Sequence, residues 1–332
     1  MTSFMTSDET RDRRRAMLRT AMGPVIGAAL LDPAVIEIMV NPDGVVRVDR
    51  RGTGRVSTGE QLTPAEAERI IRMIASHVHV EVHGANPIVS AELPETGERF
   101  EGVLPPVASA PCFAIRKPIG HVLRLEDYVA DQILSPLHAA VLRQGVAERK
   151  TILIAGGTSS GKTTLANALL ADMAAADERV VLIEDTRELQ CAAKDTVALR
   201  TVRGSVTLAD LVRSTMRLRP DRIIVGEVRG GEALDMLKAW NTGHPGGIAT
   251  VHANSAVSAL SRLELLIQEA VTVVPRALIA QAIDLIVFIS GRGDGRRVDT
   301  VAAMEGFSGG EYRLRTIDSH AALTLAKETP RC

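Results

Sequence analysis

The segment 154–170 combines glycines, a lysine and hydroxyl side chains at the spacing that a phosphate-binding loop requires. It reads IAGGTSSGKTTLANALL and matches the pattern G-x-x-x-x-G-K-[ST]. Its glycines permit a tight turn that directs backbone N–H groups at phosphate oxygens, and a helix that begins there adds its positive end. Lys162 would bind the β- and γ-phosphates of ATP, and the Thr163 hydroxyl would ligate Mg²⁺. The predicted nucleotide-binding residues are Gly156, Gly157, Thr158, Ser159, Ser160, Gly161, Lys162, Thr163 and Thr164.

Two glutamates at the ends of predicted strands could act on a nucleotide bound at this loop. Glu184 ends the run RVVLIE, and Glu227 lies in the run RIIVGEV. In a parallel sheet the carboxyl ends of the strands share one edge, where ligands gather. We expect both residues to be metal ligands beside Thr163 or to polarise the attacking water. The sequence does not divide these roles between them, and a solvated strand end remains the alternative for each.

Two histidines follow in the segment NTGHPGGIATVHANS. His244 lies in a glycine-rich turn, whereas His252 stands at the end of a predicted strand. We predict that His252 contacts the γ-phosphate and transmits its presence to a neighbouring subunit. A packed or surface histidine is the alternative for both residues.

Composition limits the classes of function that the chain could serve. Its 332 residues suggest two domains, and 45% apolar residues can build a large core. Aromatic residues make up only 2%, so stacking of nucleic-acid bases is not expected. A net charge of −1 gives no basic signature, and we expect no strong direct binding to nucleic acid. Three cysteines without C-x-x-C spacing predict neither a disulfide framework nor a zinc site.

Arginines precede a short apolar run near the start of the chain, in RDRRRAMLRTAMGPVIGAALL. Acidic residues stand among these arginines, Pro24 interrupts the run, and no clear cleavage signal follows. We therefore expect an amphipathic helix rather than an export signal. No run approaches the roughly 20 apolar residues that span a membrane.

The pattern of strands, helices and turns divides the chain into four predicted parts. They are an N-terminal helical extension (1–32), an α/β domain (33–120), a linker with some helix (121–136) and a larger α/β domain (137–332). In the smaller domain, short β-branched runs flank a helix that begins near Thr63. In the larger domain, strands alternate with helices, which predicts a mostly parallel sheet covered on both faces. One of these helices is expected to run from Thr207 to Pro220, and the last two strands to form an edge hairpin.

Four motifs in this order resemble one family of motor proteins. They are GGTSSGKTT, RVVLIEDTREL, LRPDRIIVGEVRGGEA and TGHPGGIATVHANS. They are similar to the Walker A, Asp-box, Walker B and His-box motifs of the secretion-superfamily traffic ATPases. The runs VIEIMVNPDGVVRVDR and FAIRKP resemble the conjugal-transfer ATPases of the TrbB type.

This resemblance implies a homo-hexameric ring in the cytoplasm, at the inner face of the inner membrane. It implies a RecA-like P-loop ATPase domain, with ATP and Mg²⁺ bound between it and the N-terminal domain. Partners would be inner-membrane proteins of a secretion or conjugation channel, and peripheral membrane association is compatible with this. Arg99 and Arg116 match N-terminal-domain arginines that reach the phosphates in this family. A surface position on a strand is the alternative for both arginines.

Two departures from the family pattern affect this interpretation. Ser159 stands where many members have glycine, close to where backbone meets ligand, so nucleotide affinity is expected to change. The chain also lacks the cysteines of the zinc element that type II secretion and pilus-extension ATPases often carry. That absence favours the conjugation and type IV secretion branch.

The leading hypothesis is an ATP hydrolase that drives conjugal transfer or type IV secretion. One alternative keeps ATP hydrolysis but assigns it to a different system, the assembly or retraction of a type IV pilus. A second alternative is a nucleotide-gated scaffold with little turnover, since Ser159 and the acids leave catalysis open. A DNA helicase would instead require stimulation by single-stranded DNA and a steep dependence on salt.

Overall fold

The computed structural model describes residues 7–94, 97–117, 122–175, 177–202 and 204–318. The chain forms two compact units, Met1–Gly120 (unit 1) and His121–Cys332 (unit 2). Each unit has its own sheet and its own hydrophobic core. The predicted mixed α/β class is confirmed by this arrangement.

No helix among the described residues is long and apolar enough to cross a membrane.

The described residues of unit 1 form a six-stranded antiparallel sheet and two helices. In chain order these are α1 (Ser7–Leu31), β1 (Val35–Val40), β2 (Val45–Arg50), β3 (Gly54–Gln61), α2 (Pro64–His77), β4 (Ile88–Glu92), β5 (Arg99–Val103) and β6 (Cys112–Arg116). The strand order across the sheet is β3-β2-β1-β6-β5-β4. This order places β5 and β6, which carry the two predicted phosphate-binding arginines, side by side.

Helix α2 begins where the sequence predicts because its first turn is capped by side chains. The Thr63 hydroxyl accepts a hydrogen bond from the Glu66 N–H, and the Glu66 carboxylate accepts one from the Thr63 N–H. Proline at the first helical position costs no hydrogen bond there. The helix then buries Ile70 and Ile74 in the core of unit 1.

Helix α1 contributes to the same core rather than standing apart from it. Leu18, Met22 and Ile26 are buried among residues of the sheet. The helix is kinked at Gly23, whose φ of 73° lies outside the helical region, immediately before Pro24. The kink follows from the proline, because its ring disfavours helical backbone at the preceding residue.

The described residues of unit 2 form an eight-stranded sheet with helices on both faces. In chain order its elements are α3 (Leu125–Ala130), α4 (Pro136–Ala147), β7 (Ile152–Gly156), α5 (Lys162–Ala171), β8 (Arg179–Glu184), β9 (Asp195–Arg200), α6 (Leu208–Thr215), β10 (Arg222–Val228), α7 (Glu232–Asn241), β11 (Ile248–His252), α8 (Ala256–Gln268), α9 (Arg276–Ala282), β12 (Leu285–Ser290), β13 (Arg297–Ser308) and β14 (Glu311–Thr316). The strand order is β14-β13-β12-β7-β11-β10-β8-β9.

From β12 to β9 all neighbouring strands of unit 2 are parallel, and β13 and β14 add an antiparallel edge. Along β7, Leu153 and Ala155 face one core, whereas Ile152 and Ile154 face the other. Helices α6 to α9 cover the first face, and α3, α4 and α5 cover the second. Apolar residues on both faces explain why the central strands read as unbroken apolar runs.

Residues 125–130 form α3, inside the segment expected to be a linker with some helix, and its Leu125 and Tyr128 are fully buried in unit 2. Other elements differ from the sequence-based expectations. The helix expected to reach Pro220 ends at Thr215. Leu218 N–H then donates to Thr215 O in a turn, which removes the following residues from the helical path. Strands β3, β4 and β9 and helix α4 were not predicted individually.

A buried ion pair ties together the starts of β8 and β10, the strands that carry Glu184 and Glu227. Arg222 Nε lies 2.5 Å from Glu178 Oε2, and the two side chains are only 3% and 9% exposed. Arg149 Nε lies 2.6 Å from the other carboxylate oxygen. Removing the carboxylate would leave the Arg222 guanidinium buried without a counter-charge, which is costly.

We expect Glu178→Gln to lower the free energy of unfolding of unit 2 by about 3 kcal/mol. The reason is the uncompensated charge of Arg222, and urea unfolding followed by circular dichroism measures the loss. Glu148→Gln, an exposed change of the same chemistry on the same unit, should cost less than about 0.5 kcal/mol. Equal effects from the two substitutions would contradict the role of the pair.

Candidate functional site

The phosphate loop lies between the fully buried strand β7 and helix α5. Lys162 is the first residue of α5, and Thr163 and Thr164 follow it in the first turn. The N–H groups of a first helical turn have no acceptor within the helix, so they are available to an anion. Ser160 Oγ is buried and has no hydrogen-bond partner among the described residues. These donors form a cradle suited to phosphate oxygens.

The first and the last glycine of the motif are required, because little space is left for a side chain and because of the backbone conformation. A Cβ at Gly156 would lie 2.4 Å from Ile289 O and 2.6 Å from Ser160 Oγ. Gly161 has φ +95°, and a Cβ there would lie 2.9 Å from Arg296 Nε. A side chain at either position would therefore distort the loop.

Ser159, the residue that departs from the family pattern, adopts a left-handed conformation with φ 62°. A residue with a Cβ pays roughly 1–2 kcal/mol in that region, whereas glycine enters it freely. The structure thus gives a physical reason for glycine at this position in related loops. Ser159 itself is exposed, so the cost arises from its backbone and not from crowding.

The strands beside the loop bring Lys162, His252 and Glu227 together. His252 is the register partner of Gly156, at the end of β11. Lys162 Nζ lies 3.4 Å from His252 Nδ1 and 3.0 Å from Gly157 O. His252 Nε2 lies 2.6 Å from Glu227 Oε1, near the end of β10. Three residues predicted from separate motifs therefore form one continuous polar chain.

The hydrogen-bond donors beside His252 determine which of its ring nitrogens carries the proton. An ammonium group can only donate, so Nδ1 of His252 accepts from Lys162, which leaves the proton of a neutral ring on Nε2, the nitrogen nearest to Glu227. Partial burial and the nearby Lys162 hold the pKa of His252 below its usual value, although Glu227 acts in the opposite direction. Burial likewise lowers the pKa of Lys162, and Glu227 again opposes the change. A neutral His252 thus links the cation to the carboxylate.

Arg229 is a further member of this cluster, and the sequence analysis did not single it out. It forms hydrogen bonds with Glu227 Oε2 through Nε, at 2.7 Å, and through Nη2. Arg229 Nη1 also lies 3.6 Å from Asp185 Oδ2, beyond the end of β8. Arg229 follows Glu227 by two residues, and this position directly after the strand is the sequence feature by which it could have been predicted as a site residue. Arg229 therefore holds Oε2 of Glu227 by hydrogen bonds, whereas Oε1 lies near His252 Nε2 but has no hydrogen-bond partner among the described residues.

Glu184 has a different environment from Glu227. It is 4% exposed, and its Oε1 accepts hydrogen bonds from the N–H groups of Glu188 and Leu189, at 2.9 and 2.7 Å. Burial raises the pKa of this carboxyl group, and the two N–H donors oppose the rise. Asn167 of α5 binds the same segment through Glu188 O and the Gln190 N–H. Glu184 Oε1 thus fixes the segment that follows β8, and Asn167 joins that segment to the phosphate-loop helix.

The other predicted residues occupy separate places. Arg99 and Arg116 lie in unit 1 and are register partners on β5 and β6. Glu92 opposes Arg99, and Glu37 opposes Arg116, so the four residues form one row across the sheet. His244 precedes β11, at the opposite edge of the sheet from the phosphate loop, and its Nδ1 donates to Ala239 O at 3.2 Å. His244 therefore closes the end of α7.

An apolar strand that enters a glycine loop, a lysine that opens the next helix and acids on parallel neighbours are typical of phosphate-loop α/β proteins. A profile described as Type II/IV secretion system protein matches residues 29–290, and the chain belongs to this family. The resemblance drawn from the four motifs is confirmed by this match.

Individual relatives show which members of this family the chain resembles. The chain is 47% identical over 325 residues to the conjugal transfer protein TrbB of Rhizobium radiobacter, covering 96% of this chain and 100% of the relative. It is 32% identical to the type IV secretion system protein VirB11 of Bartonella quintana, covering 76% and 82%. The crystal structure of the pilus retraction motor PilT with bound ADP shares the fold, with a TM-score of 0.63, 19% identity and coverage of 94% and 86%.

We expect Ser159→Gly to stabilise the protein by about 1 kcal/mol, because glycine removes the left-handed strain at a smaller entropic cost. For a unit of this size that corresponds to a rise of about 2–4 °C in the unfolding midpoint. Differential scanning calorimetry measures it. Thr158→Gly is the matched control, since the neighbouring Thr158 does not have positive φ and should gain nothing. A gain at both positions or at neither would contradict the interpretation.

Proposed function

We propose that the chain is a motor ATPase that hydrolyses ATP to ADP and phosphate to drive conjugal transfer or type IV secretion. The observation that carries the proposal is the chain of Lys162, His252 and Glu227 beside the phosphate loop. It joins a phosphate-binding cation to a candidate general base. Family membership and the extended identity with TrbB support the choice of conjugal transfer.

In this proposal the loop residues 156–164 bind the phosphates of ATP through backbone N–H groups and Lys162. Phosphate oxygens would compete with Gly157 O for Lys162 Nζ, which now lies 3.0 Å from that carbonyl. The Thr163 hydroxyl and the glutamate carboxylates are hard oxygen donors that suit Mg²⁺. Bound Mg²⁺ would neutralise charge on the β- and γ-phosphates.

We assign different roles to the two glutamates. Glu227 would orient and polarise the attacking water, because its carboxylate lies next to the Lys162–His252 pair. Glu184 has one oxygen engaged by two backbone N–H groups, so only its second oxygen would join the metal shell. His252 would report the γ-phosphate, since it contacts both Lys162 and Glu227. Arg99 and Arg116 would supply charge to the phosphates from unit 1.

The larger assembly also belongs to the proposal. We infer a cytoplasmic homo-hexamer at the inner face of the inner membrane, acting on channel proteins, with unit 2 as a RecA-like ATPase domain. The secretion-system relatives support this assignment. Assembly or retraction of a pilus would use the same ATP chemistry and stays an alternative, which the neighbouring genes would distinguish.

Glu227→Gln should keep ATP bound and lower turnover by about 100-fold or more, because the amide cannot accept a proton from water. Filter binding with labelled ATP, followed by separation of ATP from ADP, measures both quantities. Lys162→Ala serves as the blank because it removes the phosphate-binding charge, and Lys194→Ala, an exposed lysine of the same unit, as the unaffected control. Hydrolysis at the wild-type rate in Glu227→Gln would show that Glu227 has no catalytic role.

ATP turnover per subunit should rise with protein concentration and then reach a plateau, because a ring site is completed by assembly. The measurement covers a wide range of concentration, with sedimentation at the same concentrations to follow the oligomer. Turnover that does not depend on concentration would contradict the ring. Bound ATP with negligible turnover throughout would favour the nucleotide-gated scaffold.

A further inference from the structure

The connection between β12 and β13 lies along the phosphate loop and contacts it at several points. β12 is the parallel neighbour of β7, with Ile289 in register with Gly156. The connection, residues 291–296, reads GRGDGR and contains a short 3₁₀ turn at Gly293–Gly295. Neither the four motifs nor the proposed chemistry assigns this segment a role.

Two arginines of this connection contact the phosphate loop directly. Arg292 Nε donates to Thr158 O at 3.2 Å, across 134 positions of sequence. The Arg296 side chain lies over Gly161, with its Cδ, Nε and Cζ atoms 2.9–3.2 Å from the place where a Cβ would stand. Ile289 lies beside Gly156, Arg292 binds Thr158 and Arg296 lies beside Gly161. The loop therefore has a neighbour at its beginning, at its middle and at its end.

The connection is itself held in a compact shape. Gly291 has φ +75°, and a Cβ there would lie 1.9 Å from Gly295 O. The chain therefore turns back on itself so closely that only glycine fits at its start. A compact turn between two paired strands offers a firm support for the arginine side chains.

The Arg292 contact is adjacent to the strained residue of the phosphate loop. Thr158 O, the acceptor, belongs to the peptide unit that joins Thr158 to Ser159, and Ser159 has φ 62°. Fixing that peptide restricts the rotation by which Ser159 would leave the left-handed region. An external hydrogen bond can thus maintain a backbone conformation that the residue type disfavours.

We propose that Arg292 is a positioning residue that holds the phosphate loop in its binding shape. Arg292 supports the left-handed conformation of Ser159, so that this chain tolerates serine where glycine would need no support. The proposal rests on the proposed nucleotide binding of the loop. Support of the loop and nucleotide binding can be tested separately, because support of the loop also changes the motion of the loop when no ligand is present.

The experiment compares the wild type, Arg292→Gln, Ser159→Gly and the double variant, each as the full chain. Binding of ADP is measured by isothermal titration calorimetry. Hydrogen–deuterium exchange of the peptide that covers 156–164 is measured without nucleotide. Arg297→Gln is the matched control. Arg297 directly follows Arg296 in the chain, but its side chain is 70% exposed and pairs with Asp299.

We expect Arg292→Gln to weaken ADP binding about tenfold, a factor equivalent to about 1.4 kcal/mol, and to speed exchange in the loop peptide by a similar factor. In the Ser159→Gly background the same change should cost only about two- to threefold, since glycine adopts the conformation unaided. Arg297→Gln should match the wild type in both measurements.

Wild-type binding and exchange in Arg292→Gln would overturn the proposal. Equal losses in the serine and glycine backgrounds would also overturn it, because Arg292 would then act independently of Ser159. If the wild type does not bind ADP, the proposed function fails, and the exchange measurement still decides whether Arg292 supports the loop.

Discussion

Parallel pairing of β7, β11, β10 and β8 is the constraint on which the candidate site depends. Parallel strands end at the same edge of a sheet, about 4.8 Å apart, so residues that follow each strand become neighbours. The phosphate loop follows β7, His252 ends β11, and Glu227 lies near the end of β10. The register of Gly156 with His252 is what brings a histidine within 3.4 Å of Lys162.

The charges at this edge are balanced through specific contacts. Lys162 and Arg229 bring positive charge. Arg229 donates hydrogen bonds to Glu227 directly, whereas Lys162 is bonded to His252, whose Nε2 lies 2.6 Å from Glu227 Oε1. A neutral histidine is suited to such a link because one ring nitrogen accepts while the other donates. At the opposite ends of the strands, Glu178 and Arg222 join β8 to β10, so ionic contacts fix this pair of strands at both ends.

Motif spacing singled out residues that the structure brings together at one sheet edge, whereas periodicity predicted some of the surrounding secondary structure poorly. The phosphate loop was recognisable because glycine, lysine and threonine each have a distinct physical task there. β3 was missed because all eight of its residues are exposed, which leaves no apolar alternation in GRVSTGEQ. The end of α6 was misplaced because a local turn, and not the distant proline, stops it.

By itself, the sequence determined the α/β class, the glycine-rich turn between a strand and a helix, the two strand-end glutamates and the membership of the secretion family. Each of these depends on residue type and on short-range spacing, which a sequence displays directly. Only the tertiary structure decided how Glu184 and Glu227 differ, that His244 closes a helix while His252 joins Lys162, and that Arg229, Arg292 and Arg296 reach the site. Several of those outcomes depend on contacts between residues far apart in the chain, such as Arg292 and Thr158, which the pairing of the strands brings close together.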